Sequence, residues 1–197
     1  PPHHSSAASD VYKRQVTKDL NLSNLDLPNI DHVYICLGTK LRAWELIKMS
    51  KKKRNTFIKT DLELVVEVAK KAKSLGAKTI SLISAVGVKE GSFNTYMDTK
   101  GKVEKEIIKM QFESVNFFRP GHLQGKALTE KWDTAIADFF SKILDFFLFG
   151  PFSKFKSIDG DTVAKAMVLE TKKSKSGVNY FYFNEMIQSL INATPSE

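Results

Sequence analysis

Three side chains in this sequence could act together on a proton: Ser84, Tyr96 and Lys100. Tyr96 and Lys100 stand four residues apart where a helix is expected to start, so both face the same way. A lysine ammonium beside a phenol favours the phenolate and lowers the tyrosine pKa from about 10. Such a tyrosine exchanges a proton with a substrate carbonyl or hydroxyl during hydride transfer. A serine hydroxyl can hydrogen-bond the same oxygen. The Tyr-x-x-x-Lys spacing alone is common on helix surfaces. Its context singles it out: Ser84 ends an apolar strand twelve residues upstream, and Arg119-Pro120-Gly121 closes the next one.

The elements that must position these groups alternate. Residues 33–37 and 79–84 are short, apolar and β-prone, as buried parallel strands are. Residues 115–118 read as a third strand and 178–183 as a fourth. Between the first two, Thr60 and Glu63 have the spacing of a capping box and predict a helix opening there. Its stripe runs through Leu62, Val65, Val66, Ala69, Ala72 and Leu75 and is closed by Gly76. Helices are expected over 95–112, 134–149 and 161–170, with a last one ending near 191. Strand and helix in this order imply βαβ crossovers and an α/β fold, a Rossmann-like doubly wound parallel sheet. Open sheets of this kind bind ligands at the carboxyl edge, where Ser84 and the start of the Tyr96 helix fall.

Bulk properties narrow the partners. The 197 residues, 42% hydrophobic and 26% charged, suit one globular domain with a real core. The net charge of +8 is spread over solvated helix faces and turns, apart from the dense run 51–54. No aromatic interleaves with that run as a nucleic-acid stacking platform requires, so nucleic acid is not the expected partner. The most apolar stretch, 139–149, is too short to span a bilayer and contains Lys142 and Asp145. It reads as an amphipathic helix, with no membrane span expected. Cys36, the one cysteine, leaves no disulfide framework and reads as a small buried hydrophobe. Residues 1–15 lack hydrophobic periodicity and the apolar core of a signal peptide; they read as a non-native or disordered leader before a domain over 16–197. A cytoplasmic location is the expectation.

A series of motifs carries a family resemblance. In order they are Cys36-Leu37-Gly38-Thr39, Ala69-Lys70-Lys71-Ala72-Lys73 with Gly76, and Leu82-Ile83-Ser84 with Gly87. Tyr96-x-x-x-Lys100-Gly101-x-x-Glu104 and Phe118-Arg119-Pro120-Gly121-x-Leu123 follow. The series resembles the atypical short-chain dehydrogenase/reductases of the Tat-interacting-protein oxidoreductase type, from about residue 16 to 191. The resemblance implies a Rossmann fold binding NADP, or else NAD, and hydride transfer between the dinucleotide and an unknown small carbonyl or alcohol. It implies that Leu37, Gly38 and Thr39 lie on the adenosine side and that Tyr96 and Lys100 meet the nicotinamide ribose. Pro120, Gly121 and His122 would lie near the carboxamide. Each has a plainer reading beside it: a turn at Gly38 and at Pro120-Gly121, a loop histidine at His122, helix capping at Asp61.

Three departures separate this sequence from that pattern. It contains no G-x-G-x-x-G loop to hold a pyrophosphate. Bulky, basic residues fill 40–55 where small ones are usual, and Ser84-Ala85 stands where relatives carry paired serines. A rival reading is therefore a non-catalytic NADP-binding regulator or scaffold. The departures also imply a domain lacking its first βαβ unit, with residues 33–37 as an unpaired sheet edge prone to self-association. The 197-residue chain is accordingly expected to oligomerise and to show no saturable NADPH binding at micromolar concentration. A monodisperse monomer in light scattering that binds NADPH in that range would contradict this.

Overall fold

The structure, a computed structural model, describes residues 28–39, 41, 45, 49–124, 150–173 and 175–193. The helix expected over 134–149, including the apolar 139–149 stretch, lies outside the described residues, as does the 1–15 segment.

Side-chain alternation along Thr79-Ile80-Ser81-Leu82-Ile83 sends Ile80 and Leu82 to one face of a sheet and Ser81 and Ile83 to the other. This strand, β2 (Thr79–Ile83), lies between β1 (His32–Ile35) and β3 (Ser114–Phe118), and β6 (Gly177–Phe181) follows β3. All three pairings are parallel. Such a sheet needs cover on both faces. Helices α2 (Val65–Ser74) and α3 (Thr95–Lys109) supply one side: Val65, Ala69, Val103 and Ile107 join Ile80, Leu82, Val115 and Phe117 in one core. Helices α4 (Gly160–Lys172) and α5 (Phe183–Ile191) supply the other through Val163, Met167 and Met186, packed with Phe118 and Phe181. Each fully buried side chain of this size contributes about 1.5–3 kcal/mol. A second, two-stranded parallel sheet joins β4 (Leu123–Gln124) to β5 (Ile158–Asp159). The α/β, doubly wound expectation is met.

One polar row crosses the main sheet at matched register. Ser81 stands opposite Asn116, and Asn116 opposite Asn179. Asn116 Nδ2 donates to Ser81 Oγ at 3.3 Å and Asn179 Nδ2 to Asn116 Oδ1 at 3.1 Å. The Ser81 hydroxyl also bonds the Thr171 hydroxyl of α4 at 2.7 Å. All four side chains are buried, and each finds a partner, as burial demands.

Local corrections concern the connection between β1 and β2. The helix does not open at a Thr60–Glu63 capping box. It is already running as α1 (Lys51–Ile58), with Ser50 as N-cap accepting from the Lys53 amide at 3.3 Å. The basic run 51–54 is thus its first turn. A π-helical stretch (Lys59–Leu64) then widens the helix before α2 continues it. Strand β1 ends at Ile35, two residues before the expected end, and Cys36 is exposed rather than buried. The outer side of β1 carries no strand among the described residues, and Tyr34 beside it is also exposed.

Gly101 shows why a glycine sits in the middle of α3. A Cβ there would stand 2.3 Å from the Glu90 amide nitrogen and 2.7 Å from the Lys89 carbonyl carbon. The loop backbone is pressed against the helix, so neither side can yield cheaply. Alanine gains up to about 1 kcal/mol in helix propensity, but overpacking of this kind costs about 1–3 kcal/mol. Gly101→Ala is therefore expected to lower stability by about 1–2 kcal/mol in urea unfolding.

Candidate active site at the carboxyl edge of the sheet

In a parallel α/β layout the strand ends and the helix starts gather at one edge. There the chain brings Cys36–Thr39 after β1, Ser84 after β2, the start of α3, and Arg119-Pro120-Gly121 after β3. Asn94 fixes the start of α3: its side-chain oxygen accepts the Tyr96 and Met97 amides at 2.9 and 3.2 Å. Tyr96, Lys100 and Glu104, spaced by four, then form one stripe along the helix.

The centre of the first cluster is Asp61. The π-helical stretch turns its carboxylate inward, where it is 1% exposed. π-bulges often mark functional positions. Asp61 Oδ1 lies 2.9 Å from Lys100 Nζ, and Oδ2 accepts the Thr39 amide at 2.8 Å. Helix capping is thus not its role. Tyr96 is half-buried, with its ring stacked on Phe57 at a centroid separation of 5.7 Å. Among the described residues no hydrogen bond joins the phenol to Lys100 or to any other group. Burial pushes the phenol pKa above its ordinary value, and the Asp61 carboxylate raises it further. The direction is opposite to the sequence expectation. The ammonium expected to stabilise phenolate is engaged with Asp61, and burial favours the neutral phenol.

Ser84 belongs to a second cluster. Its hydroxyl donates to Glu104 Oε1 at 2.6 Å. Arg119 Nε donates to the same oxygen at 3.0 Å, Arg119 Nη2 pairs with Glu104 Oε2, and Nη1 donates to the Tyr182 hydroxyl at 2.8 Å. The guanidinium also lies 4.3 Å from the Tyr180 ring centroid, a cation–π contact. Burial works against the Arg119 charge, but the Glu104 contacts outweigh it and raise its pKa. No bond links Ser84 to Tyr96 or Lys100 among the described residues.

The remaining expected site residues divide. Gly38 and Thr39 adjoin the Asp61 cluster, and a Cβ at Gly38 would meet Asp61 Oδ1 at an ordinary 3.6 Å. Leu37 packs against the core. The Pro120 carbonyl accepts the Val86 amide at 3.0 Å, and the His122 carbonyl accepts the Ile158 amide at 2.9 Å, with His122 itself exposed. Gly121 is needed for packing: a Cβ would stand 2.5 Å from the Phe155 carbonyl oxygen. Sequence reasoning missed Asp61, Glu104 and Arg119 as the organising charges. The 96, 100, 104 spacing was the available signal for Glu104; nothing local announced that Asp61 would be buried. Among the described residues no His, Cys, Asp and Glu group could hold a metal ion.

A parallel sheet with helices on both faces is the doubly wound, Rossmann-like architecture. The fold is shared with the structure of RMD from Pseudomonas aeruginosa complexed with NADPH: TM-score 0.59 at 16% identity, over 84% of this chain and 65% of that one. It is shared likewise with MoeE5 in complex with UDP-glucose and NAD: TM-score 0.56 at 15% identity, over 92% and 69%. In sequence the chain is 37% identical over 114 residues to the mitochondrial protein FMP52 of Debaryomyces hansenii, 57% of this chain and 49% of that protein. It is 41% identical over 68 residues to FMP52 of Kluyveromyces lactis, 34% of this chain and 30% of that protein. With protein HTATIP2 of Rattus norvegicus it shares 32% over 90 residues, 46% of this chain and 34% of that protein. No family model matches the chain. In sequence the chain is thus similar to the FMP52 and HTATIP2 proteins, and in fold to Rossmann-fold proteins solved with NADPH or NAD. The matched part spans about half or less of each relative's length. The cytoplasmic expectation is overturned, because the FMP52 relatives are named as mitochondrial proteins.

Removing one partner of a buried ion pair leaves the other charge desolvated, at a cost of about 3–5 kcal/mol. Arg119 retains some solvent contact, so Glu104→Ala is expected to lower stability by about 2–4 kcal/mol in urea unfolding. The double variant Glu104→Gln with Arg119→Met should lose less than Glu104→Ala alone.

Proposed function

We propose that the protein is a mitochondrial NAD(P)-dependent oxidoreductase that reduces a small carbonyl compound, with NADP(H) as the favoured dinucleotide. The observation that carries this reading is the Tyr96 phenol at the carboxyl edge, without a hydrogen-bond partner among the described residues and close enough to the Thr39–Asp61–Lys100 cluster to feel the Asp61 charge. A half-buried hydroxyl left open in this way suits a ligand oxygen, and the polar surroundings suit the nicotinamide-ribose end of a dinucleotide. The relatives' names place the FMP52 proteins in mitochondria, and the fold neighbours are complexes with NADPH or NAD.

When bound, the reduced dinucleotide supplies a hydride to the carbonyl carbon. The residues do the rest. Tyr96 gives its phenolic proton to the carbonyl oxygen as charge develops there. Tyr96 and Lys100 would meet the nicotinamide ribose, and Leu37, Gly38 and Thr39 would lie on the adenosine side. Pro120, Gly121 and His122 would border the carboxamide side. Ser84 orients the substrate oxygen once its hydroxyl turns from Glu104. That last requirement favours a second reading, a non-catalytic NADP-binding regulator, since the hydroxyl is already committed to a buried carboxylate.

Hydride transfer from NADPH across a panel of aldehydes and ketones, using a full-length protein carrying these residues, separates the two. Tyr96→Phe is expected to lower kcat by at least about 100-fold, the usual scale of a lost general acid, while dinucleotide binding is spared. Unchanged turnover would remove Tyr96 from the mechanism, and no turnover on any carbonyl would favour the regulator.

A further inference from the structure

Resting on the oxidoreductase reading, we infer that the substrate is an aldehyde or ketone with an apolar tail, and that Phe93 is the specificity-determining residue that grips the tail.

The carboxyl edge of the sheet carries apolar side chains that nothing covers. Phe93 is fully exposed, and Leu123, Phe152 and Phe155 are exposed as well. Topology gathers them. Residues 84–94 join the end of β2 to the start of α3, and 119–124 leave the end of β3. The two stretches meet where the Val86 amide donates to the Pro120 carbonyl at 3.0 Å, and Gly121 rests against the Phe155 backbone. Single exposed apolar residues are ordinary on any surface. Gathered at one edge, with a phenol that has no hydrogen-bond partner among the described residues, they have the composition of a ligand mouth: mostly apolar, with a few polar groups to orient the reacting end.

Phe93 is held out in water by a loop that is tied down on both sides of it. Gly91 turns the chain at φ +77°, and its amide donates to Asp98 Oδ1 at 2.8 Å. Glu90 Oε2 lies 2.8 Å from Lys105 Nζ, and the Asn94 amide donates to Ser92 Oγ at 3.2 Å. Asn94 then caps α3, so Phe93 stands three residues before Tyr96 on fixed backbone. A ring presented in this way is covered by a ligand without the cost of ordering a loop, and the contact gains with the apolar area it buries. The acids of this region, Glu90 and Asp98, are already paired with Lys105 and Lys102. The loop therefore offers a ligand apolar area rather than open carboxylates to bind sugar hydroxyls.

The test reads the ring and needs no turnover. Full-length protein carrying these residues is labelled with para-fluorophenylalanine, and the Phe93 signal is assigned by Phe93→Leu. Fluorine NMR then follows it as straight-chain primary alcohols, the product class, are added with NADP present. The Phe93 signal should shift saturably. Its midpoint concentration should fall about fourfold for each methylene added between hexanol and decanol, the increment for burying one methylene. In calorimetry, Phe93→Ser should weaken decanol binding by at least about fivefold, and Phe93→Leu, which keeps apolar area, should restore most of the loss. Phe93 is fully exposed, so neither variant threatens folding. A Phe93 signal that does not move, or an affinity independent of chain length, would overturn the inference. So would a signal that responds to phosphatidylcholine vesicles and not to dissolved alcohols, the result if the ring docks on a membrane surface. Chain-length-dependent binding with no turnover of any aldehyde would count against the oxidoreductase reading and uphold the apolar ligand. Turnover confined to sugar-like carbonyls would do the reverse.

Discussion

A carboxylate buried on a helix must be satisfied, and Glu104 is satisfied from three directions at once: by Ser84 at the end of β2, and twice by Arg119 at the end of β3. Arg119 extends the tie to Tyr182, where β6 gives way to α5. An unmet charge at that depth would cost several kcal/mol, so the rotation of α3 about its own axis is fixed by this one residue. Lys100 and Tyr96 lie one and two turns earlier on the same stripe. With a rise of about 1.5 Å per residue, a bond made at Glu104 determines where a phenol about 12 Å away can sit. The clamp thereby fixes where the other polar groups of the stripe sit.

The two buried ion pairs therefore divide the work along α3. Arg119–Glu104 binds three strand ends to the helix, and Lys100–Asp61 binds the β1–β2 connection to it. The glycines follow the same division. Gly101 admits the Lys89–Glu90 backbone against the helix, and Gly121 admits the Phe155–Lys156 backbone against the end of β3. The motif residues that carry the family resemblance most strongly, Gly101 with Glu104 and Arg119 with Gly121, are thus devices for bringing backbones together.

How much of this could be read beforehand follows from the range of each interaction. The strands and the parallel sheet were legible because apolar runs of four to six residues and the alternation at Ile80, Ser81 and Leu82 are local signals. The start of α3 was legible from its spacing. The α1–α2 segment was misread, since Thr60 and Glu63 look like a cap only when Lys51–Ile58 is taken as a loop. Asp61 was read as a helix cap and Ser84 as a partner of Tyr96, because their actual partners lie 39 and 20 residues away in sequence. Spacing on one helix cannot reveal that an ammonium is spoken for from another. The two-residue strands β4 and β5 offered no pattern long enough to detect.

The polar row of Ser81, Asn116 and Asn179 has a consequence for strand alignment. Apolar alternation forbids a slip by one residue, which would turn every side chain to the wrong face, but it is blind to a slip by two. Moving β2 two places along β3 would set Ser81 against Ser114 or Phe118, and Asn116 against Thr79 or Ile83. In the slip that sets Asn116 against Ile83, its buried amide loses the Ser81 hydroxyl and faces an apolar side chain. The row therefore acts as a key that turns one way, rejecting a misalignment that hydrophobicity alone would accept.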